Sequence, residues 1–434
     1  MNCNLKSVLR SLSVLSVLLT GLSVFGQKTF IQCGFVFDSE SGKMVPERTL
    51  VIQNNRIESV LKGFVSGNTD DQVIDLKENY VLPGFIDMHV HIESQSSPDT
   101  YIKRFTSNEA DVAFEAAYYA ERTLMAGFTT VRDLGGTGVN IALRKAIQKG
   151  LTPGPRVFTS GKTISTTGGH GDPTNGRRLG EMGDPGPREG VVNSPEEGRK
   201  AVRQRYKDGA DVIKITATGG VLSVSKNGQN PQFTVEEIKA ITETARDYGM
   251  LSAAHAHGDE GMQRAILGGI QTIEHGTLMS EATMELMKEY GVFLVPTISA
   301  GREASRLADV PGYYPEMVAV KAREIGPMSQ KTFAIAYKKG VPIAFGTDAG
   351  VFPHGTNAQE FAYMVEAGMP AAEAMQSATK TNAALLGLSE ELGKIKAGFL
   401  ADLIAVPENP LQDITVLKNV GFVMKDGVIY KHKF

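Results

Sequence analysis

The stretch Pro83-Gly84-Phe85-Ile86-Asp87-Met88-His89-Val90-His91 places two imidazoles at positions i and i+2 of an apolar run that reads as a buried strand. Alternation sends Phe85, Asp87, His89 and His91 to one face and Ile86, Met88 and Val90 to the other. Two histidines on one face at the carboxyl end of a strand suit a metal, because neutral imidazole nitrogens are common ligands of zinc and its neighbours. Two hydrogen-bonded structural histidines would leave the same spacing, so the remaining histidines decide. The chain has eight, and seven of them (His89, His91, His170, His255, His257, His275 and His354) lie at or just after an expected strand end; His432 does not. Strand carboxyl ends are where a βα barrel carries its functional groups.

Outward from this stretch, helical segments end in glycine six times and a β-branched or apolar run follows closely: Gly127, Gly209, Gly249, Gly269, Gly291 and Gly340. Glycine takes the left-handed conformation that closes a helix, and short helix-to-strand loops mark repeating β/α units. Ser194-Pro195-Glu196-Glu197 and Thr234-Val235-Glu236-Glu237 read as capping boxes at helix starts. Strands are expected at 85–91, 129–133, 156–163, 211–217, 251–255, 271–274, 292–296 and 341–345. Eight strands alternating with helices predict an α/β fold, a (β/α)8 TIM barrel over residues 81–390. Residues 27–80 and 391–434 have a different texture, short β runs separated by turns such as Asn54-Asn55 and Asp426-Gly427. They predict a small β-sandwich domain built from both chain ends.

The first 26 residues stand apart. Lys6 and Arg10 precede a mostly apolar run from Val14 to Phe25, which small residues and Gly26-Gln27 follow. That is the pattern of a signal peptide, too short to span a bilayer, which takes about 20 apolar residues. Cleavage after Gly26 and export to the periplasm or medium are therefore expected. Losing the segment's two cations takes the formal charge from -3 to -5. So mildly acidic a chain has no electrostatic case for nucleic acid or, once the signal is gone, for anionic membrane. With 41% hydrophobic and 21% charged residues it has material for a large core. Stability has to come from that core, since Cys33 is the mature chain's one cysteine.

Besides histidine, the strand ends carry Lys214 and Asp348. In Asp211-Val212-Ile213-Lys214-Ile215-Thr216 the lysine shares a face with Val212 and Thr216, which is inward if the isoleucines meet the helices. Burial pushes such an amine towards its neutral form, which can act as a nucleophile or add carbon dioxide to become a metal-bridging carbamate. A salt bridge to Asp87 or Asp348 is the plain structural alternative. After the third strand, residues 168–193 form a Gly-, Pro- and Arg-rich loop without periodicity, long enough to be functional. His170, Arg177 and Arg178 on it are candidate substrate contacts, and Arg suits bidentate carboxylate binding. His354, just past Asp348, could face the mouth or turn away. Gly161-Lys162-Thr163 mimics the end of a P-loop, but Arg156 stands where that motif needs its first glycine, and no G-x-S-x-G occurs.

With 83–91, Val212-Ile213-Lys214-Ile215, Ala254-His255-Ala256-His257-Gly258, Ile273-Glu274-His275-Gly276 and Gly346-Thr347-Asp348-Ala349 all in place, the chain resembles the metal-dependent amidohydrolase superfamily. Within it the look is that of the prolidase-like and Xaa-Arg/Lys carboxypeptidase-like peptidases and the ochratoxin-hydrolysing amidase. The resemblance implies two divalent cations, zinc by default. His89, His91 and Asp348 would hold one, His255 and His275 the other, and Lys214, as a CO2-derived carbamate, would bridge them. His255 is preferred to His257 by resemblance alone, as both fall on one face of their strand, and His257 becomes a substrate contact. The implied activity is hydrolysis of amide bonds by a metal-bridging hydroxide, with Asp348 as general base and acid. The expected substrate is a dipeptide or acyl amino acid whose free carboxylate the 168–193 loop holds. Rival readings are a one-metal imidazolonepropionase-like cyclic amidase or deaminase, and a secreted binding protein without turnover. Expected partners are a small-molecule or short-peptide substrate and, compatibly with composition, further copies of the chain.

Overall fold

The computed structural model describes residues 27–434, so the expected signal segment, 1–26, lies outside the described residues. Alternating runs at the two chain ends form strands β1 (Thr29–Asp38), β2 (Lys43–Gln53), β3 (Arg56–Lys62) and β4 (Gln72–Pro83). Between the ends come β5 (Phe85–Val90), β6 (Phe128–Asp133), β7 (Arg156–Thr159), β8 (Val212–Thr216), β9 (Leu251–Ala256), β10 (Thr272–His275) and β11 (Phe293–Val295). The carboxyl-terminal end adds β12 (Leu403–Val406), β13 (Phe422–Lys425) and β14 (Val428–His432).

Where a sandwich is expected, the two ends pair in one seven-stranded sheet of order β14-β13-β12-β4-β1-β2-β3. One of its faces buries Ile31, Cys33, Leu50, Ile74, Leu403 and Phe422 in a cluster of their own. The other sends Phe37, Leu82, Ile404 and Val423 into the main core. Period-2 alternation with both faces apolar is what a sheet packed on two sides requires.

The central strands are parallel and form two sheets, β5-β6-β7 and β8-β9-β10-β11. At one seam Ile164 N–H donates to Lys214 O (2.8 Å) and Thr216 N–H to Ile164 O (3.0 Å). At the other, residues 342–349 run between β11 and β5. Leu294 N–H donates to Pro342 O, Met88 N–H to Phe345 O and Asp348 N–H to His89 O, at 2.7–3.0 Å. The expected strand at 341–345 is thus a single bridge at Ile343. Pro342 supplies no N–H, so a regular ladder cannot form there. The expected strand at 156–163 stops at Thr159, because Gly161 turns to φ 62°.

Helices in the connections are α1 (Thr100–Thr106), α2 (Glu109–Met125), α3 (Val139–Gln148), α4 (Pro195–Asp208), α5 (Val235–Asp247) and α6 (Asp259–Leu267). They continue as α7 (Glu281–Tyr290), α8 (Ile298–Ala308), α9 (Glu316–Ile325), α10 (Met328–Lys338) and α11 (Gln359–Glu366). All six helix-closing glycines have positive φ, between 65° and 97°. Thr234 and Glu237 form the expected capping box, whereas Glu197 reaches past Ser194 to the Asn193 N–H. Ile213 and Ile215 pack in one core with Ala201 and Val202 of α4 and Ile238 and Ile241 of α5. Their burial is what turns Lys214, between them in the strand, to the interior.

Candidate functional site

The carboxyl ends of the parallel strands surround a cavity of about 310 Å³, whose lining includes His89, His91, Lys214, His255, His275 and Asp348. Two groups of ligand atoms lie each within 4.8 Å of one another: His89, His91 and Asp348, and His255, His257 and His275. Backbone strain collects here. Among the described residues six non-glycines have positive φ, and three are His275 (74°), Thr297 (48°) and Asp348 (59°). Such conformations cost about 1–3 kcal/mol each and persist where the surroundings impose them.

Each histidine has one ring nitrogen tied to the protein. Nδ1 pairs with Glu274 Oε2 in His89 (2.9 Å), Gly135 O in His91 (2.7 Å), Thr277 Oγ1 in His257 (2.9 Å) and Thr297 Oγ1 in His275 (2.7 Å). Those four leave Nε2 for a ligand. His255 is reversed, with Nε2 on Gly219 O at 3.1 Å and Nδ1 left over. Distance alone therefore keeps both His255 and His257 beside His275, and they differ in the nitrogen they offer. Burial drives all these imidazoles neutral, His91 to about 4, His257 to about 3, and His89, His255 and His275 well below the ordinary value. Neutral imidazole is the form that binds a cation, and a second hydrogen bond fixing the ring is the usual support of a metal ligand.

Lys214 is buried, forms no ion pair among the described residues, and sits 3.4 Å from His89 Nε2. Burial favours its neutral amine, against the pull of Glu274 and Asp348. Asp87, one suggested salt-bridge partner, is committed elsewhere. It accepts from His89 N–H, Thr347 N–H, Thr347 Oγ1 and Asn357 Nδ2 at 2.7–3.1 Å, which fixes the backbone on both sides of the site. Asp348 Oδ1 lies 3.4 Å from His91 Nε2 and 3.5 Å from His89 Nε2, yet is buried without a hydrogen-bond partner. An orphaned carboxylate oxygen between neutral imidazoles and a neutral-leaning amine is a donor set that fits divalent cations.

Behind the ligands stand groups that sequence reasoning missed. Glu274 accepts from Arg132 (2.8 Å) as well as facing His89, and both side chains of that ion pair are fully buried. The signal was available: Arg132, like Lys214, is a cation in an apolar strand and needs an answering acid. Among the substrate-contact candidates, His170 and His257 line the cavity, and the His170 ring stacks on His255 at 4.2 Å. A Cβ on Gly220 would meet that ring at 2.1 Å, so the β8 loop closes on His170 because residue 220 is glycine.

Arg177 and Arg178 are a correction. Neither lines the cavity, where the arginine is Arg104 of α1. Arg177 is consumed by Glu181 (2.7 Å), Pro173 O and Arg104 O and lies over Phe105, while Arg178 is exposed. The loop spends its guanidinium on tying itself to α1. His354 turns away from the cavity, bonded to Ser94 O and stacked on Tyr119.

Comparison with known proteins identifies relatives of the chain. The chain is 37% identical to ochratoxinase of Aspergillus niger over 372 residues, 81% of this chain and 75% of that protein. A solved Xaa-Pro dipeptidase with bound methionine superposes with a TM-score of 0.91 at 51% identity, covering 93% of this chain and all of the other. A prolidase complexed with N-methylphosphonate-L-proline gives 0.85 at 33% identity, covering 94% and 100%. The Amidohydrolase family matches residues 80–430. The chain therefore belongs to the amidohydrolase family and is a hydrolase acting on amide or peptide bonds.

Proposed function

We propose that the protein is a two-metal hydrolase of dipeptides or N-acyl amino acids. In this reading the two parallel sheets and residues 342–349 make one closed (β/α)8 ring, with residues 81–390 as its domain and 27–80 and 391–434 as the β-domain. His89, His91 and Asp348 would hold one cation, and His255 and His275 the other. Lys214 would complete the ligand set as an anionic carbamate, its neutral amine adding to carbon dioxide with formation of a C–N bond and loss of a proton. When bound, divalent cations, zinc by default, would supply Lewis-acid polarisation of the scissile carbonyl and activation of water at neutral pH.

The chain's own groups do the rest. Glu274 and Thr297 hold the His89 and His275 rings at their Nδ1 atoms, so Nε2 of each points to the ligand. Asp348, on strained backbone with Oδ1 otherwise unpartnered, takes the proton from the attacking water and returns it to the leaving amine. His170 and His257 line the cavity on the side where substrate would sit.

The carrying observation is Lys214, an unpaired lysine buried between the two histidine groups. A one-metal enzyme leaves that lysine without a purpose. Assay of a dipeptide and N-acyl amino acid library with and without chelator tests the reading. Metal-dependent release of free amino acids is expected, and turnover that chelation leaves untouched would overturn it.

A further inference from the structure

The cavity over the histidines holds a cation that no acid answers. Arg104 lines it, and among the described residues its guanidinium makes no ion pair and no hydrogen bond; its recorded partner is the Tyr101 ring, 5.2 Å from the guanidinium carbon. Arg177 stands behind it, within reach of the Arg104 carbonyl. Arg177 is neutralised by Glu181 and donates to the Arg104 carbonyl at 2.7 Å, so it anchors α1 while leaving the Arg104 side chain to the cavity. Around Arg104 the lining is largely uncharged, with Tyr101, Val221, Leu222, Tyr314 and Val351, and the cavity's one acid, Asp348, belongs to the histidine cluster.

Arg104 is solvent-exposed at the cavity, so its guanidinium is hydrated and, with no acid of the protein paired to it, is open to an anionic ligand. Guanidinium's planar fork matches a carboxylate, and the match is lost when that carboxylate becomes an amide. We propose that Arg104 recognises a carboxylate of the substrate and so selects acidic substrates over their neutral amides. This assignment rests on the amide-hydrolase reading above. The carboxylate could be the terminal one of the leaving amino acid or an acidic side chain on the acyl side.

Kinetics of the metal-loaded enzyme on two substrate pairs separate those sources: Ala-Pro against Ala-prolinamide, and Glu-prolinamide against Gln-prolinamide. Wild type is expected to favour the acid in one pair. Arg104→Gln should cut kcat/KM for that acid by about 10- to 150-fold, the value of a charge-assisted hydrogen bond, and cut it far less for the matching amide. The first pair responding assigns the terminal carboxylate, the second the side chain. Arg104→Lys, which keeps the charge and loses the fork, should shift the same ratio by less, and it serves if the Gln variant does not fold. Acid-to-amide ratios that neither variant changes would overturn the Arg104 assignment while leaving the hydrolase reading standing. If wild type cleaves none of the four compounds, the Arg104 assignment falls, and the library assay with and without chelator decides the hydrolase reading by itself.

Discussion

Lys214 and Glu274 are ionisable side chains buried in the interior of the parallel strands, and each is tolerable for a different reason. Glu274 is balanced by Arg132 and also orients His89. Glu274→Gln leaves Arg132 buried without its counter-charge, which typically costs about 3–5 kcal/mol. It also replaces the charged acceptor that polarises His89 with a neutral amide, an effect worth about 10- to 100-fold in metal affinity. Denaturant unfolding and metal titration of the variant measure the two losses separately; unchanged values in both would remove Glu274 from the support of the site. Lys214 has no protein counter-charge, so its placement makes sense with carboxylation. Lys214→Ala is expected to lose activity and most bound metal. Elemental analysis that finds two ions per chain in the purified variant would contradict the bridging role.

Between elements, the supports come from far along the chain. Helix α8 follows Thr297, which offers it no side-chain cap, and Glu360 in the first turn of α11 accepts from Ile298 and Ser299 N–H at 2.7 Å each. Thr297 in turn holds His275. Burial raises the Glu360 carboxyl to about 8. A folded-state value above the unfolded one of about 4.3 means that the native state binds the extra proton between those limits, so this residue's contribution falls as pH rises from about 4 to 8. Glu360→Gln, which cannot ionise, should flatten that decline. Unfolding free energies at pH 5 and pH 7.5 test it, and equal pH dependence in variant and wild type would exclude Glu360 as the source. The same long reach explains the arginine correction. Arg177 was legible as a carboxylate-type donor, but Glu181 and the Arg104 carbonyl reach it first.

For the molecule as a whole, export remains a proposal resting on Lys6, Arg10 and the apolar run to Phe25. Cleavage after Gly26 predicts a mature amino terminus at Gln27, two residues before β1 begins. Amino-terminal sequencing of protein from its native host should start there, and a chain beginning at Met1 would contradict export. The sequence by itself determined the elements whose causes are local. Alternation turns Phe85, Asp87, His89 and His91 to one face, glycines in the left-handed region end six helices, and flanking isoleucines send Lys214 inward. Those are properties of neighbouring residues, so spacing reveals them. Tertiary structure decided what depends on partners distant in sequence: which nitrogen each histidine offers, the Arg132–Glu274 pair behind His89, and Arg104 in the cavity where Arg177 and Arg178 were expected. A hydrogen bond is set by distance and direction in space, and a chain that returns to one cavity from several strand ends settles both only once it is folded.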